Sequence, residues 1–240
     1  MPKVWLYRRE DRIQKSGKII VLGGMLMKSK LYIYRMMNEG GFAPCIDAGM
    51  LTLSCCKGGW KNGVKTGIRY WIGKDYEMNP DKCKAYVMGI YKDNICYFAE
   101  ITKVMKMTEY YRNGGLSKGR SDDIYYVQDG QLEHKGDKGS PHNTKDDRER
   151  DKNGVFTLIS CKDKFQYFGA NNFPVDKIKN ILKDKYPLRQ ETKIVDDANI
   201  IGQIKKVMKK NKHLEKKVLE DGQKYCEKCS PSSTEKSCGK

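Results

Sequence analysis

Two adjacent residues of this sequence carry side chains that can attack carbon or bind phosphate. Cys56 and Lys57 end a strand-like run and precede a glycine pair. A thiol beside an ammonium group ionises more easily and becomes a better nucleophile, whereas a lysine amine can itself attack carbon or hold a phosphate. Both residues are therefore candidate catalytic residues. Cys55 would point to the opposite face of the strand, so we expect it to be a core thiol.

His142 is the next candidate, because it is one of three histidines and lies in a long polar segment. Such a histidine can act as a general base, orient water or bind the edge of a nucleic-acid base. Asp122 and Asp123 precede a nearby strand, and Asp147 and Asp151 follow the histidine. We select Asp123 as its acid–base partner. A metal held by His142 and these carboxylates is the alternative, but the spacing matches no known metal motif, so we predict no metal and name no cofactor.

Charge and aromatic residues indicate a nucleic-acid partner. The 240 residues carry a formal charge of +17, and several aromatic residues are interleaved with basic ones, as in Arg69-Tyr70-Trp71. Aromatic faces stack on exposed bases while cations hold the backbone, although in a β-rich chain many aromatics must pack in the core. The sequence contains no phosphate-binding loop, dinucleotide fingerprint, serine-hydrolase elbow or zinc-protease motif, which gives no support to those classes.

The elements that must position these residues are mostly strands. Runs rich in β-branched and aromatic residues predict strands at 31–36, 51–55, 68–73, 85–91, 95–104, 155–161 and 165–168, with a turn at 92–94. One helical turn is expected at 107–112, and residues 133–154 are expected to form a functional or disordered loop. The last two strands are expected to pair. The fold class predicted is α+β and β-rich: a small, partly closed barrel followed by C-terminal helices.

Three regions are expected along the chain: a non-native leader at 1–26, one domain at 27–186 and a basic helical tail at 187–240. Apolar residues of the segment 200–218 recur with heptad spacing, which predicts either a homodimer contact or a helix docked on its own domain. Cys226, Cys229, Cys238 and His213 form at most a weak zinc set. Nine cysteines without a regular framework, and no run long enough to span a membrane, predict a cytoplasmic protein with free thiols.

The order of several short motifs resembles the nucleotide modification associated domain family, second type, over residues 30–172. The motifs are GFAP at 41–44, LTL and CK within 51–57, Ile68-Arg69, residues 100–104, Tyr110-Tyr111, DDIYY at 122–126, His142-Asn143 and FQYFG at 165–169. The resemblance marks twelve positions: Phe42, Pro44, Thr52, Cys56, Lys57, Arg69, Asp123, Tyr125, His142, Asn143, Asp151 and Tyr167.

This resemblance implies a role in systems that hypermodify DNA bases in phages and bacteria. It implies DNA with modified bases as the partner. The strand pattern of the family is similar to that of the small barrels of the PUA, ASCH and EVE group. We expect His142, Asp123, Lys57 and Cys56 to act in catalysis. We expect Phe42, Arg69, Tyr125, Asn143 and Tyr167 to contact nucleic acid. Base modification, base excision, a non-catalytic reader of modified DNA and an RNA-binding module all remain open.

Two positions depart from the family pattern. Gly58 stands where the family usually has proline after the Cys-Lys pair, and Asp123 stands where it usually has asparagine. An aspartate only accepts hydrogen bonds, whereas an asparagine also donates them. The departure at Asp123 therefore weakens the case for base reading by this side chain.

Overall fold

The computed structural model describes residues 28–37, 43–47, 49–80, 82–136 and 142–216, which form an α+β fold rich in strands, as predicted. The described strands are β1 (Lys28–Met36), β2 (Cys45–Asp47), β3 (Met50–Leu53), β4 (Gly59–Lys61), β5 (Val64–Thr66), β6 (Cys83–Tyr91), β7 (Asn94–Glu100), β8 (Lys103–Lys106), β9 (Tyr125–Gln128), β10 (Gln131–His134), β11 (Phe156–Ser160), β12 (Phe165–Tyr167) and β13 (Thr192–Val195). The described helices are α1 (Ile68–Met78), α2 (Met107–Tyr110), α3 (Lys145–Gly154), α4 (Asp176–Leu182) and α5 (Ala198–Lys210), with 3₁₀ turns at Lys183–Lys185 and Lys212–Leu214.

The main sheet has the strand order β12-β7-β6-β1-β13. β1 runs parallel to β6, and the other pairs are antiparallel. The central strands β1, β6 and β7 are buried over most of their length. Other elements cover both faces of these strands, which explains why the strands are continuous apolar runs. The predicted turn joins β6 to β7, with Lys92 in the left-handed region at φ 50°.

A second, antiparallel sheet has the order β2-β3-β11-β8, and β4–β5 and β9–β10 form separate hairpins. The strands that the structure describes do not close into a barrel, and the small, partly closed barrel that was predicted is not confirmed. The strands β11 and β12 do not pair with each other as expected, because β11 lies between β3 and β8 while β12 pairs with β7. The likeness to PUA-type proteins stays a prediction.

The prediction of a strand at 68–73 is wrong, because these residues begin the helix α1. Ile68 and Ile72 are buried on one side of the helix together with Arg69 and Gly73. This spacing of four residues is helical, but the Ile, Tyr and Trp content of the segment is typical of strands. Added bulk at Gly73 would collide with the Phe156 ring, so the residue allows α1 to lie close against β11.

The main sheet has an apolar core on each face. On one face it packs against α4 and α5, and on the other against the second sheet and α1. α5 buries Ile201, Ile204 and Met208, and Asp197 caps its first backbone N–H groups. The apolar stripe near 200–214 therefore docks on the chain's own sheet, which is the alternative to the predicted dimer contact.

The region after residue 186 shares this core. β13 pairs with β1, and α5 covers the same sheet, so the division expected at 186 does not mark a break in the described packing. The leader expected at 1–26, and Cys226, Cys229 and Cys238, lie outside the described residues. Within the described ranges, no helix is both long and apolar enough to cross a membrane.

Candidate active site

Cys56, His142 and Asp151 form a chain of close contacts between distant parts of the sequence. Cys56 Sγ lies 3.1 Å from His142 Nε2, and His142 Nδ1 lies 2.7 Å from Asp151 Oδ2. The side chain of Asp151 is fully buried, that of His142 is 7% exposed, and Cys56 is half-buried. A thiol, an imidazole and a carboxylate in this order are the elements of a nucleophile, its base and the group that orients the base.

The charge of Asp151 fixes the roles of the two histidine nitrogens. Burial by itself would raise the pKa of Asp151. The hydrogen bond from His142, the positive charge of Arg69 and the hydrogen bond from the Cys56 N–H outweigh burial, so the pKa lies below its usual range. An ionised carboxylate only accepts hydrogen bonds, so His142 Nδ1 donates to it. His142 Nε2 then faces Cys56 Sγ and can accept its proton.

Asp151 also holds the backbone of Cys56. The backbone N–H of Cys56 donates to Asp151 Oδ1, and the Tyr125 hydroxyl donates to Asp151 Oδ2 at 2.9 Å. One buried carboxylate thus positions Cys56, His142 and Tyr125 together. Such shared hydrogen bonds pre-organise a site, because each partner restricts the orientation of the others.

Two of these three residues have left-handed backbone conformations. Cys56 has φ 54° and the following Lys57 φ 53°, while His142 has φ 61°. A non-glycine residue in this region costs of order 1–3 kcal/mol, and such residues cluster at functional sites. The turn at Cys56 redirects the chain after β3. Cys55, just before it, is fully buried, and burial raises the pKa of its thiol well above the ordinary value.

Arg150 places a cation near Cys56. Partial burial would lower the pKa of Arg150, but its electrostatic interaction with Cys56, the charges of Asp147 and Asp151 and the hydrogen bond with Asp147 raise it. The guanidinium is paired with Asp147. A guanidinium within electrostatic reach of a thiol favours the thiolate, which is the nucleophilic form.

Helix α3 carries Asp151, but its sequence has no apolar periodicity by which the helix could be predicted. The helix contains almost only charged and polar residues, so the segment 133–154 was predicted to be a loop. Its start is nevertheless encoded, because Thr144 caps the helix by accepting from the Asp147 N–H. Asp146 and Asp147 in the first turn also suit the positive end of the helix. This capping pattern was the signal that could have placed Asp151 on a helix shortly after His142.

Arg69 fixes the turn at Cys56 from inside the protein. The side chain is completely buried. Its Nη1 donates to the Cys56 carbonyl and its Nε donates to the Phe156 carbonyl, both at 2.7 Å. A Cβ on Gly154 would lie 2.5 Å from the guanidinium carbon, so glycine at the end of α3 lets Arg69 pack directly against the backbone. Arg69 thereby joins β11, α3 and the Cys56 turn.

Gly58 brings the same turn against α3. A Cβ on Gly58 would lie 2.3 Å from the Arg150 carbonyl oxygen and 2.4 Å from the Gly154 nitrogen. Both atoms belong to the backbone and cannot move aside without shifting α3. This close approach gives a physical reason for glycine at a position where the family usually has proline.

Replacing Gly58 with alanine is therefore expected to lower the free energy of unfolding by about 1–3 kcal/mol, because the added methyl group overpacks the α3 interface. Urea denaturation measures this change. Gly202→Ala is the matched control, since a Cβ there meets no atom and the residue lies within α5. An equal loss of stability in both variants, or none at Gly58, would contradict the proposed close approach.

The other two predicted catalytic residues, Lys57 and Asp123, contact different parts of the protein. Lys57 Nζ lies 4.5 Å from the centroid of the Tyr34 ring, next to the Cys56 turn. Asp123 instead forms an ion pair with Lys135 at 2.8 Å. The structure thus brings Cys56, Lys57 and His142 into one region, and places Asp151, not Asp123, against the histidine.

Asp122, which precedes Asp123, is buried and structural. Its carboxylate accepts hydrogen bonds from Thr52, Ser54 and Tyr110 and pairs with Arg120. These bonds tie the segment before β9 to β3, directly before the Cys56 turn. Of the two adjacent aspartates, the buried one therefore supports the strand that leads to Cys56.

The residues expected to contact nucleic acid are mostly inside the protein. Arg69, Tyr125 and Tyr167 are buried, Asn143 is exposed, and Phe42 lies outside the described residues. Tyr125 belongs to the cluster beside the triad, where its ring meets Tyr111 edge-on. Their contact with nucleic acid stays a prediction, and of the four that the structure describes only Asn143 lies at the surface.

A metal ion is the alternative use of the same three residues. One donor atom each from Cys56, His142 and Asp151 lie within 4.8 Å of one another, and the described ranges contain no second cluster of this kind. Asp151 is, however, already bonded to the histidine, to Tyr125 and to the Cys56 N–H. This leaves Cys56 and His142 as ligands, whereas catalytic zinc sites use three protein ligands and structural sites four. The donor set fits a nucleophile with its base better than a metal.

Comparison with known proteins gives one result. The sequence model of the family described as nucleotide modification associated domain 2 matches residues 28–228, and this confirms the resemblance found in the motifs. The matched region extends well beyond 172 and includes β13 and α5. No curated protein and no solved structure matches the chain.

Proposed function

Because the chain belongs to the nucleotide modification associated domain 2 family, we propose that it acts in the modification of DNA bases as a cysteine-dependent enzyme. Family membership associates the chain with nucleotide modification, and the thiol chemistry is the further step. The observation that carries it is the alignment of Cys56 Sγ, His142 and Asp151 at 3.1 Å and 2.7 Å.

In the first step, Cys56 Sγ attacks an electrophilic carbon of the base or of a group attached to the base. Its proton passes to His142 Nε2, and Asp151 stabilises the resulting imidazolium, as in other triads. The bond from the attacked carbon to its leaving group breaks, and the leaving group takes the proton from His142. The product is a covalent intermediate linked to the Cys56 sulfur.

In the second step, another nucleophile attacks the carbon linked to sulfur and restores the thiol. His142 takes the proton of this nucleophile and returns one to Cys56. Water as the nucleophile releases the group, and an amine or hydroxyl of an acceptor receives it by transfer. Removal and transfer therefore use one site and differ only in the second reactant.

The large positive charge supports DNA as the substrate, because Lys and Arg exceed Asp and Glu by 17. A base inside a duplex cannot reach a half-buried thiol, so the proposal requires an extruded or single-stranded base. Extrusion costs a few kcal/mol, and modified or mismatched bases are the easiest to extrude. The expected likeness to PUA-type barrels, which hold such bases, belongs to this proposal.

The test is to incubate the protein with DNA from several phages and to measure nucleosides and released bases by mass spectrometry. We expect the wild-type chain to change the nucleoside composition of at least one modified DNA. Unchanged products across these DNAs, with candidate cofactors supplied, would count against an enzyme.

His142→Ala separates an enzyme from a reader of modified DNA. Loss of turnover with unchanged DNA affinity supports an enzyme, because the histidine then moves protons without holding the substrate. Parallel loss of turnover and affinity would instead indicate a reader pocket. Tighter binding to RNA than to modified DNA in competition would indicate an RNA-binding module.

A further inference from the structure

A groove of about 790 Å³ lies between α5, β12 and the turn that precedes β12, and none of the triad residues lines it. Tyr86 and Phe98 form its floor, and α5 forms one wall. These two residues belong to the core on the α5 face, whereas Tyr34, which meets Lys57, belongs to the core on the other face. The floor of the groove thus lies on the sheet face opposite Tyr34 and Lys57, and the groove is a second candidate site.

The walls of this groove are strongly basic. Among the described residues, seven lysines and three acidic residues line it. Burial raises the pKa of one of these acids, Glu215. A concave surface with one dominant sign of charge concentrates ligands of the opposite sign. The groove thus has the electrostatics of a polyanion site.

The lysines of α5 and its C-terminal turn form a row. Lys206, Lys209 and Lys212 line the groove at intervals of three residues, and all three are exposed. At a rise of about 1.5 Å per residue, such lysines follow each other by roughly 4.5 Å along the helix. Lys162 and Lys164, in the turn before β12, face the groove from its other side. A row of cations opposite a second basic segment suits an extended chain of negative charges.

The floor indicates that phosphates, not bases, are recognised. Tyr86 is 2% exposed and Phe98 7%, and their rings stack on each other with centroids 5.6 Å apart. They offer little free ring surface for a base to stack on. Lysine contacts to phosphates are independent of sequence and position a strand without reading it.

We propose that this groove binds the phosphate backbone of DNA and holds the substrate to the protein away from the reacting base. This rests on the proposed function, which supplies DNA as the polyanion. The groove contributes affinity that does not depend on the modification, while discrimination between bases is left to the surroundings of Cys56. The protein would then remain on one DNA molecule while successive bases are presented to the triad.

The test is a triple variant, Lys206→Gln with Lys209→Gln and Lys212→Gln, in the full chain. Binding to a fluorescent DNA oligonucleotide is measured by anisotropy at several salt concentrations. We expect at least about tenfold weaker binding, and a slope of log K against log salt that is shallower by about 1 for each phosphate that a lysine no longer neutralises. The control is Lys179→Gln with Lys183→Gln and Lys185→Gln, which removes the same charge on and after α4.

Equal weakening in both triple variants would overturn the proposal, because total charge and not the groove would then determine binding. Undiminished binding in the groove variant, or tighter binding of RNA than of DNA by the wild-type groove, would overturn it as well. The rate of Cys56 alkylation is measured in the same proteins and should be unchanged in the groove variant. If Cys56 is unreactive while the groove variant binds DNA more weakly, the proposed role of the triad is contradicted and the proposal for the groove is not. The two proposals can therefore fail separately.

Discussion

Replacing Cys56 with alanine is expected to lower turnover on modified DNA by about 10⁴-fold or more, since a triad without its nucleophile cannot form the covalent intermediate. DNA affinity should change little, because Cys56 does not line the basic groove. Nucleoside mass spectrometry under single-turnover conditions measures the rate. The matched control is Cys161→Ala, which removes an exposed thiol outside the triad.

Asp151→Asn tests the same arrangement through the histidine. The amide cannot serve as an ionised acceptor for both His142 and the Cys56 N–H, and it does not stabilise the imidazolium. Loss of this carboxylate costs about 10⁴-fold in a serine protease triad, and we expect a loss approaching that size. Turnover in Cys56→Ala equal to that of the wild type would contradict the role of the thiol, whatever the effect at Asp151.

Arg69→Met is expected to cause the largest loss of stability, about 3–5 kcal/mol in the free energy of unfolding, because it removes a buried cation that lies near the buried charge of Asp151 and donates to two backbone carbonyls. The guanidinium is fully buried and lies within electrostatic reach of Asp151. Without it, the carbonyls of Cys56 and Phe156 lose their donor, and the charge of Asp151 loses a compensating cation.

Urea denaturation of Arg69→Met measures this loss, with Arg112→Met as the control, since Arg112 is an exposed arginine near α2. A methionine is unbranched and fills part of the same space, so the comparison reports on charge and hydrogen bonds more than on volume. A change in Arg69→Met no larger than in Arg112→Met would show that the buried guanidinium does not hold the Cys56 turn together.

Much of the main sheet could be predicted from the sequence, because buried central strands leave continuous apolar runs such as those of β1 and β6. Helix α1 could not, since Ile68 and Ile72 give a helical spacing within a segment whose composition is typical of strands. Helix α3 could not, because it has no apolar stripe and is held by its Thr144 cap and by close backbone approaches at Gly58 and Gly154. Those approaches depend on the folded arrangement and leave no period in the sequence.

The candidate site was predictable in its reactive groups and not in their pairing. Cys56 and His142 stand out by residue type, yet they meet across 86 positions through a loop and a turn. Asp123 and Asp151 are equally plausible partners in the sequence. The choice is made by α3, which directs Asp151 inward, and by the neighbouring Asp122, whose burial under Tyr110 and Arg120 leaves Asp123 paired with Lys135.

The most direct test of the central claim is the rate of alkylation of each cysteine by iodoacetamide, followed peptide by peptide across a range of pH. Near pH 6.5, well below the ordinary thiol pKa of about 8.5, Cys56 should react at least about tenfold faster than the more exposed Cys161. His142→Ala should remove this advantage and leave Cys161 unchanged. A Cys56 that reacts no faster than Cys161 at every pH, or that is unaffected by His142→Ala, would contradict the assignment of Cys56 as an activated nucleophile.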